Sequence, residues 1–221
     1  MNIVQQPSPH HNSRNAFPIL MIVNHTMDGT LSGTSSWFSN PNSQVSYHYG
    51  IGRNGEIQQY VATDRAAWHC APVRSATTTL PHPASVNPNW YTIGIGWEGT
   101  SAETIPEQQY QTGLTLHRHL LSTIVDTRLP LRQRIVGHHQ INSVGRPNCP
   151  GRNFPWGRLY ADLASFERIL GARLLIEGKQ IPLEMISGRS FAPVRALCEA
   201  LGYNVVWDEA SQTVTAQKGV R

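Results

Sequence analysis

FPILMIVNH, Phe17 to His25, is the stretch on which the fold turns. Its apolar run is short and lacks the alternation of a half-exposed strand, so it reads as a central strand buried on both faces. Such a strand carries Asn24 and His25 out to the sheet edge. Beyond it, SGTSSWFSNP (Ser32 to Pro41) combines hydroxyls that favour a helix start with a terminating proline, and predicts a short helix. VSYHYGIGRNGEIQQYV, Val45 to Val61, sets two β-prone runs about Arg53-Asn54-Gly55, and Asn-Gly marks a hairpin.

Ala62 to Asn89 is rich in Pro, Thr and Ala without a steady period, which predicts a long loop of the kind that usually carries function. YTIGIGWE, Tyr91 to Glu98, returns to strand. From Pro106 to Asp126 the residues Tyr110, Leu114, Leu121 and Val125 form one stripe at helical spacing. A short strand at Ile135 and Val136 follows, then FPWGRLYADLASFERIL, an amphipathic helix expected to stop at Gly171. The alternation predicts an α/β fold with a mixed central β-sheet flanked by helices.

From Arg173 the texture changes. RLLIEGKQIPLE predicts two short strands about a Gly-Lys turn, FAPVRALCEALG a helix and YNVVWDEASQTVTA a hairpin. The expected division is therefore a main domain over residues 1–171 and a small α+β lobe over 172–221, the latter marginal on its own. A length of 221 residues suits one full core and a small second lobe.

Only 14% of residues are charged and the formal net charge is +4. That balance favours loose attraction to polyanions such as a bacterial wall, and the chain lacks the Lys/Arg clusters that track a phosphate backbone, so nucleic acid is not an expected partner. No stretch approaches about 18 uninterrupted apolar residues, so membrane insertion is not expected either. The opening MNIVQQPSPHHNSRN lacks the basic patch and apolar run of a secretory signal. The expectation is synthesis in the cytoplasm, with release to the wall by other means. Cys70, Cys149 and Cys198 are an odd number, far apart, which favours free or metal-bound thiols over a disulfide framework.

VGHHQINSVGRPNCPG, Val136 to Gly151, places two histidines eleven and ten positions before a cysteine in a polar, Gly- and Pro-rich loop. A catalytic zinc site holds three protein ligands and leaves a fourth position open. His25 at the strand end, with His138 and Cys149 flanking the loop, supplies such a set. Two other readings stand beside it: a binding module without catalysis, and a thiol enzyme with Cys149 as nucleophile and His138 or His139 as base.

NHTM at Asn24, SYHY at Ser46, AWHC at Ala67, IGIGWEG at Ile93 and GHHQIN with NCPG from Gly137 occur in the order seen in type 2 N-acetylmuramoyl-L-alanine amidases, which this chain resembles over roughly Phe17 to Leu170. The resemblance implies the fold shared by phage lysozyme-amidases and peptidoglycan recognition proteins. It further implies a zinc-dependent peptidoglycan hydrolase, endolysin- or autolysin-like, that cleaves the amide between the lactyl group of N-acetylmuramic acid and L-alanine. The partner is peptidoglycan, the cofactor one zinc ion (Zn2+), and a monomer is expected.

Residue by residue, the resemblance implies His25, His138 and Cys149 as zinc ligands, since the family ligand directly follows the glycine, and leaves His139 as a neighbour. Tyr47 matches a tyrosine beside the metal, and strand alternation keeps His48 from facing it too. Many relatives carry an acid where this chain has Gly96, so Glu98, two steps along the same face, is the candidate proton carrier. Some carry a lysine where this chain has Pro147, so Arg146 is the candidate substrate or transition-state cation. His69 matches a histidine lining the substrate groove. The tail, GKQIP to TVT, looks like the stalk-type domain named after the copper amine oxidase N-terminus; Cys198 has no histidine partners in that segment, so no copper site is expected, and wall association stands beside a purely packing role.

Overall fold

The computed structural model describes residues 1–170, 173–176, 179–182, 184–186, 189–191, 193–208, 211 and 213–218. The chain divides into two compact units, Met1–Leu163 and Ala164–Arg221.

In the first unit the elements run β1 (Val4–Gln5), β2 (His11–Ser13), β3 (Met21–Thr26), α1 (Leu31–Ser39), β4 (Tyr49–Ile51), β5 (Ile57–Gln59), β6 (Arg65–Ala67), a 3-10 turn at Pro88–Trp90 and β7 (Thr92–Trp97). They continue with α2 (Glu107–Thr123), α3 (Leu131–Arg134), β8 (Ile135–Gly137), α4 (His138–Ile141) and α5 (Trp156–Leu170), the last seven residues of which fall in the second unit. Six strands make one mixed sheet in the order β1-β5-β4-β7-β3-β8. β3 is buried along its whole length and pairs in parallel with β7 on one side and β8 on the other.

Alternation along β3 divides its apolar residues between two cores. Ile22 joins Ile93, Ile95 and Trp97 of β7, with Tyr110, Leu114, Leu116 and Leu120 of α2 and Leu159 and Leu163 of α5. Met21 and Val23 face the other way, onto Val136, Ile141, Cys70 and Tyr91, and Val73, Leu80 and Val86 pack over them from the long loop. Burial explains the apolar run only from Leu20 to Val23, since the strand starts at Met21, later than the expected Phe17, and Phe17, Pro18 and Ile19 ahead of it are partly or fully exposed. Asn24 accepts a hydrogen bond at 2.8 Å from the Trp97 indole, which gives both buried polar groups a partner.

The short helix forms as α1, with the Thr30 hydroxyl accepting from the Gly33 amide at its start. The helix expected from Pro106 runs as α2, and Val125 is buried just beyond its end. The hairpin is shorter than expected: β4 and β5 pair antiparallel about Arg53-Asn54-Gly55, while 45–48 lies outside any strand. The Ser46 amide donates to Trp68 and the His48 amide to Gly94, partners outside the hairpin. The stretch expected to be loop from Ala62 holds β6, which pairs antiparallel with β2 near the N-terminus. β1, β2, β6 and the single-turn helices α3 and α4 are too short to carry a period in sequence.

In the second unit β9 (Arg173–Ile176) pairs with β10 (Lys179–Pro182), β11 (Glu184–Ile186) with β12 (Arg189–Phe191), and β13 (Tyr203–Asp208) with β14 (Thr213–Lys218), with α6 (Val194–Ala200) before the last pair. The β11–β12 pair is an addition to the expected elements. The expected stop at Gly171 and the glycine of the Gly-Lys turn, Gly178, lie outside the described residues. Among the described residues, no helix is long and apolar enough to cross a membrane.

Ile93 is fully buried at the centre of the larger core. Ile93→Ala should lower unfolding free energy by about 2–5 kcal/mol, through lost transfer energy and the cavity left behind, read as a fall in the urea midpoint at unchanged slope.

Candidate metal centre

Parallel pairing of β3 with β8 sets Asn24 beside Gly137, so the residues that follow, His25 and His138, emerge next to each other at the carboxyl ends of the two strands. Open α/β sheets bind ligands at that end. His138 opens α4, and the two rings meet edge-on with centroids 4.7 Å apart. Cys149 arrives on the loop after α4. Its carbonyl accepts from both the backbone amide of His139, at 3.0 Å, and the His139 ring nitrogen Nδ1, at 2.8 Å. The second histidine of the pair thus clamps the cysteine loop to α4, a role spacing alone does not reveal.

One ligand atom from each of His25, His138 and Cys149 lies within 4.8 Å of the others. Cys149 Sγ is 3.8 Å from His25 Nδ1. Zinc bonds of about 2.0–2.3 Å at tetrahedral angles separate ligand atoms by roughly 3.5 Å, so the set fits a zinc ion with little movement. His138 Nε2 is buried without a hydrogen-bond partner among the described residues.

The protonation chemistry fits as well. Burial holds His25 well below the usual imidazole range, helped by His138 and Arg146, and burial takes His138 down to about 4, so both rings are neutral and able to ligate. Burial pushes the Cys149 thiol up to about 12, only partly offset by the Thr26 backbone. A thiolate at this position needs a cation beside it, which a divalent metal supplies.

Two rings back His25. Tyr47 stacks on it at 5.1 Å and 22°, with its hydroxyl 3.5 Å from the Thr26 carbonyl. Burial raises the phenol, so it stays protonated. His69 lies edge-on to His25 with its Nδ1 3.0 Å from His25 Nε2, and its own Nε2 is 3.0 Å from Thr92 Oγ1. His48 turns elsewhere, its Nδ1 accepting from the Gly94 amide. Both backing rings press close on β7 because of two glycines: a Cβ at Gly94 would meet His69 at 2.8 Å, and one at Gly96 would meet the Tyr47 ring at 2.4 Å. The Gly-Ile-Gly of YTIGIGWE is the sequence trace of that shelf.

Glu98 is engaged elsewhere. One carboxylate oxygen accepts from the Leu31 amide at the start of α1, at 3.1 Å, and the other from the Arg53 amide in the hairpin turn, at 2.7 Å. Those bonds tie α1 and the β4–β5 turn to the end of β7. Arg146 is exposed at the junction of two grooves. One, about 850 Å³, is lined by His138, His69, Trp68, Arg74 and Asn142 among others. The second, about 360 Å³, includes Tyr47, Asp28, Trp37 and Phe38.

The family described as N-acetylmuramoyl-L-alanine amidase matches residues 15–152, and that described as the copper amine oxidase N-terminal domain matches 175–221. N-acetylmuramoyl-L-alanine amidase A of Achromobacter lyticus is 28% identical over 63% of this chain and 80% of its own length. The 1,6-anhydro-N-acetylmuramyl-L-alanine amidase AmpD of Citrobacter freundii is 31% identical over 70% of this chain and 87% of its own. A crystal structure of AmpD superposes with a TM-score of 0.59 at 25% identity, covering 72% of this chain and 93% of that one. The order of motifs, the sheet and the family match agree: this chain belongs to the N-acetylmuramoyl-L-alanine amidase family.

Proposed function

We propose that this chain is a zinc-dependent peptidoglycan hydrolase that cleaves the amide joining the lactyl group of N-acetylmuramic acid to the L-alanine of the stem peptide. The observation that carries the reading is the convergence of His25, His138 and Cys149 at the carboxyl ends of parallel strands, beside open grooves. In this proposal His25 Nδ1, His138 Nε2 and Cys149 Sγ hold the ion. A bound zinc ion supplies Lewis acidity and lowers the pKa of water to about 7.

The remaining work falls to the chain. The half-buried phenol of Tyr47 donates a hydrogen bond to the carbonyl oxygen as negative charge develops on it. Arg146, at the rim shared by both grooves, adds positive charge there and holds the substrate. In the net reaction the carbon–nitrogen bond breaks, the lactyl carbonyl gains the oxygen of water, and the alanine nitrogen takes up a proton. Glu98 has both oxygens spent on backbone amides and is assigned a structural post instead of proton transfer.

Cys149 lies in a loop outside any helix, unlike the helix-start position usual for cysteine nucleophiles, which disfavours the thiol-enzyme reading. The proposal assigns catalysis to residues 1–171 and wall association to residues 172–221, and has the enzyme act as a monomer on the wall after release from the cell by a separate lysis protein.

Cys149→Ala should lose zinc and amide cleavage together, measured by metal analysis and mass spectrometry of digested muropeptides; full activity in that variant would exclude the ligand set. Gly96→Ala should destabilise the protein by about 1–3 kcal/mol, because the new methyl group and the Tyr47 ring contend for one space, and should lower kcat by moving that ring off His25. Glu98→Gln, which leaves one of the two amides without its acceptor, should lower the urea midpoint while activity falls less than about tenfold; a drop beyond about a hundredfold at unchanged stability would make Glu98 the proton carrier.

A further inference from the structure

The His69 side chain is buried, and neither of its ring nitrogens is free. The chain of hydrogen bonds through it has a direction that starts from a peptide carbonyl. The Pro88 carbonyl can only accept, and Thr92 Oγ1 lies 2.8 Å from it, so the hydroxyl spends its single proton there. At 3.0 Å from His69 Nε2 the same oxygen can then only accept, so Nε2 carries the hydrogen. The neighbouring Cys70 thiol does not compete, since it donates to Asn89 Oδ1 at 3.3 Å. A neutral imidazole has one N–H, which leaves His69 Nδ1 as an acceptor. His25 Nε2, 3.0 Å away, must therefore be the donor. The lone pair of His25 is left on Nδ1, the nitrogen that faces Cys149 Sγ.

The geometry points to His69 as a positioning residue: with Thr92 and the Pro88 carbonyl behind it, it holds His25 in the Nε2–H tautomer and aims Nδ1 at the metal position. The inference rests on the zinc reading above. To the groove-lining place of His69 it adds a role that acts through His25. Gly94 is part of the device, because any side chain there would displace the His69 ring. Partners of this kind behind a metal-bound histidine typically account for 10–100-fold in affinity or activity.

The test uses full-length wild type with His69→Phe, His69→Gln and Thr92→Val, each loaded with zinc. Zinc affinity is measured by chelator competition, the cobalt(II)-substituted absorption spectrum is recorded, and kcat and KM are determined on peptidoglycan fragments. His69→Phe should bind zinc roughly 10–100-fold more weakly and alter the cobalt spectrum, with kcat reduced and KM within about twofold of wild type. His69→Gln, whose side-chain oxygen can accept from His25 Nε2–H, should recover part of the affinity. Thr92→Val, close to isosteric and fully buried, should weaken zinc in the same direction, and combined with His69→Phe should add little, as expected for two members of one relay.

Should His69→Phe fail to fold by circular dichroism, Thr92→Val decides alone. Zinc affinity within twofold of wild type in these variants, with KM raised, would overturn the inference and leave His69 with the groove alone. A wild-type protein that binds no zinc, or a Cys149→Ala variant that binds it as tightly as wild type, would overturn the zinc reading itself.

Discussion

The site depends on one constraint: β3 is paired in parallel on both edges and buried on both faces. Parallel register with β8 fixes His25 and His138 side by side, and register with β7 lays His25 against Gly96. Neither histidine needs a long flexible approach, because the backbone ladder does the positioning before any side chain is considered. Cys149 is the exception, reaching the site on a polar loop, and there the double donation from His139 substitutes for a strand. Two donors lie in elements set by the sheet, and the third is tied to one of them.

Burial then decides what those donors can be. Removed from water, an imidazole loses its affinity for a proton and a thiol holds its proton more tightly. The first effect prepares His25 and His138 for a metal; the second makes a cation necessary if Cys149 is to be a thiolate. The orphaned Nε2 of His138 belongs to the same logic, as a buried ring nitrogen for which the described residues provide no hydrogen-bond partner. Two imidazoles kept neutral by burial, beside a thiol that gives up its proton only to a neighbouring cation, make a donor set suited to a divalent metal, and the family match gives it a chemical setting.

Much of this was legible in the sequence where the signal is local and long. The unbroken apolar run at Phe17, the stripe on Pro106 to Asp126 and the Asn-Gly turn each announce an element whose residues decide it among themselves. β2 and β6 could not be read that way, since each is three residues long and exists because of a partner more than fifty positions distant. The same limit applies inside the site. The motifs bring His69, Tyr47 and Glu98 to notice, but only geometry separates the ring stacked on His25 from the carboxylate occupied with two backbone amides. His139 looked like a spare copy of its neighbour; its carbonyl partner is a feature of the folded loop alone. Alternation along β7 puts Glu98 on the face of Gly96 but says nothing of which amides its oxygens meet in the folded chain.

The absence of a side chain at Gly96 has a reciprocal meaning. The Tyr47 ring occupies the space that a Cβ there would enter, so the two positions share a single allotment of volume. A side chain at position 96 of this chain, a carboxylate included, finds room only if the Tyr47 ring shifts. The phenol ring and any Cβ at 96 are rival tenants of one compartment here, so a change at 96 is felt first at Tyr47 and, through it, at His25.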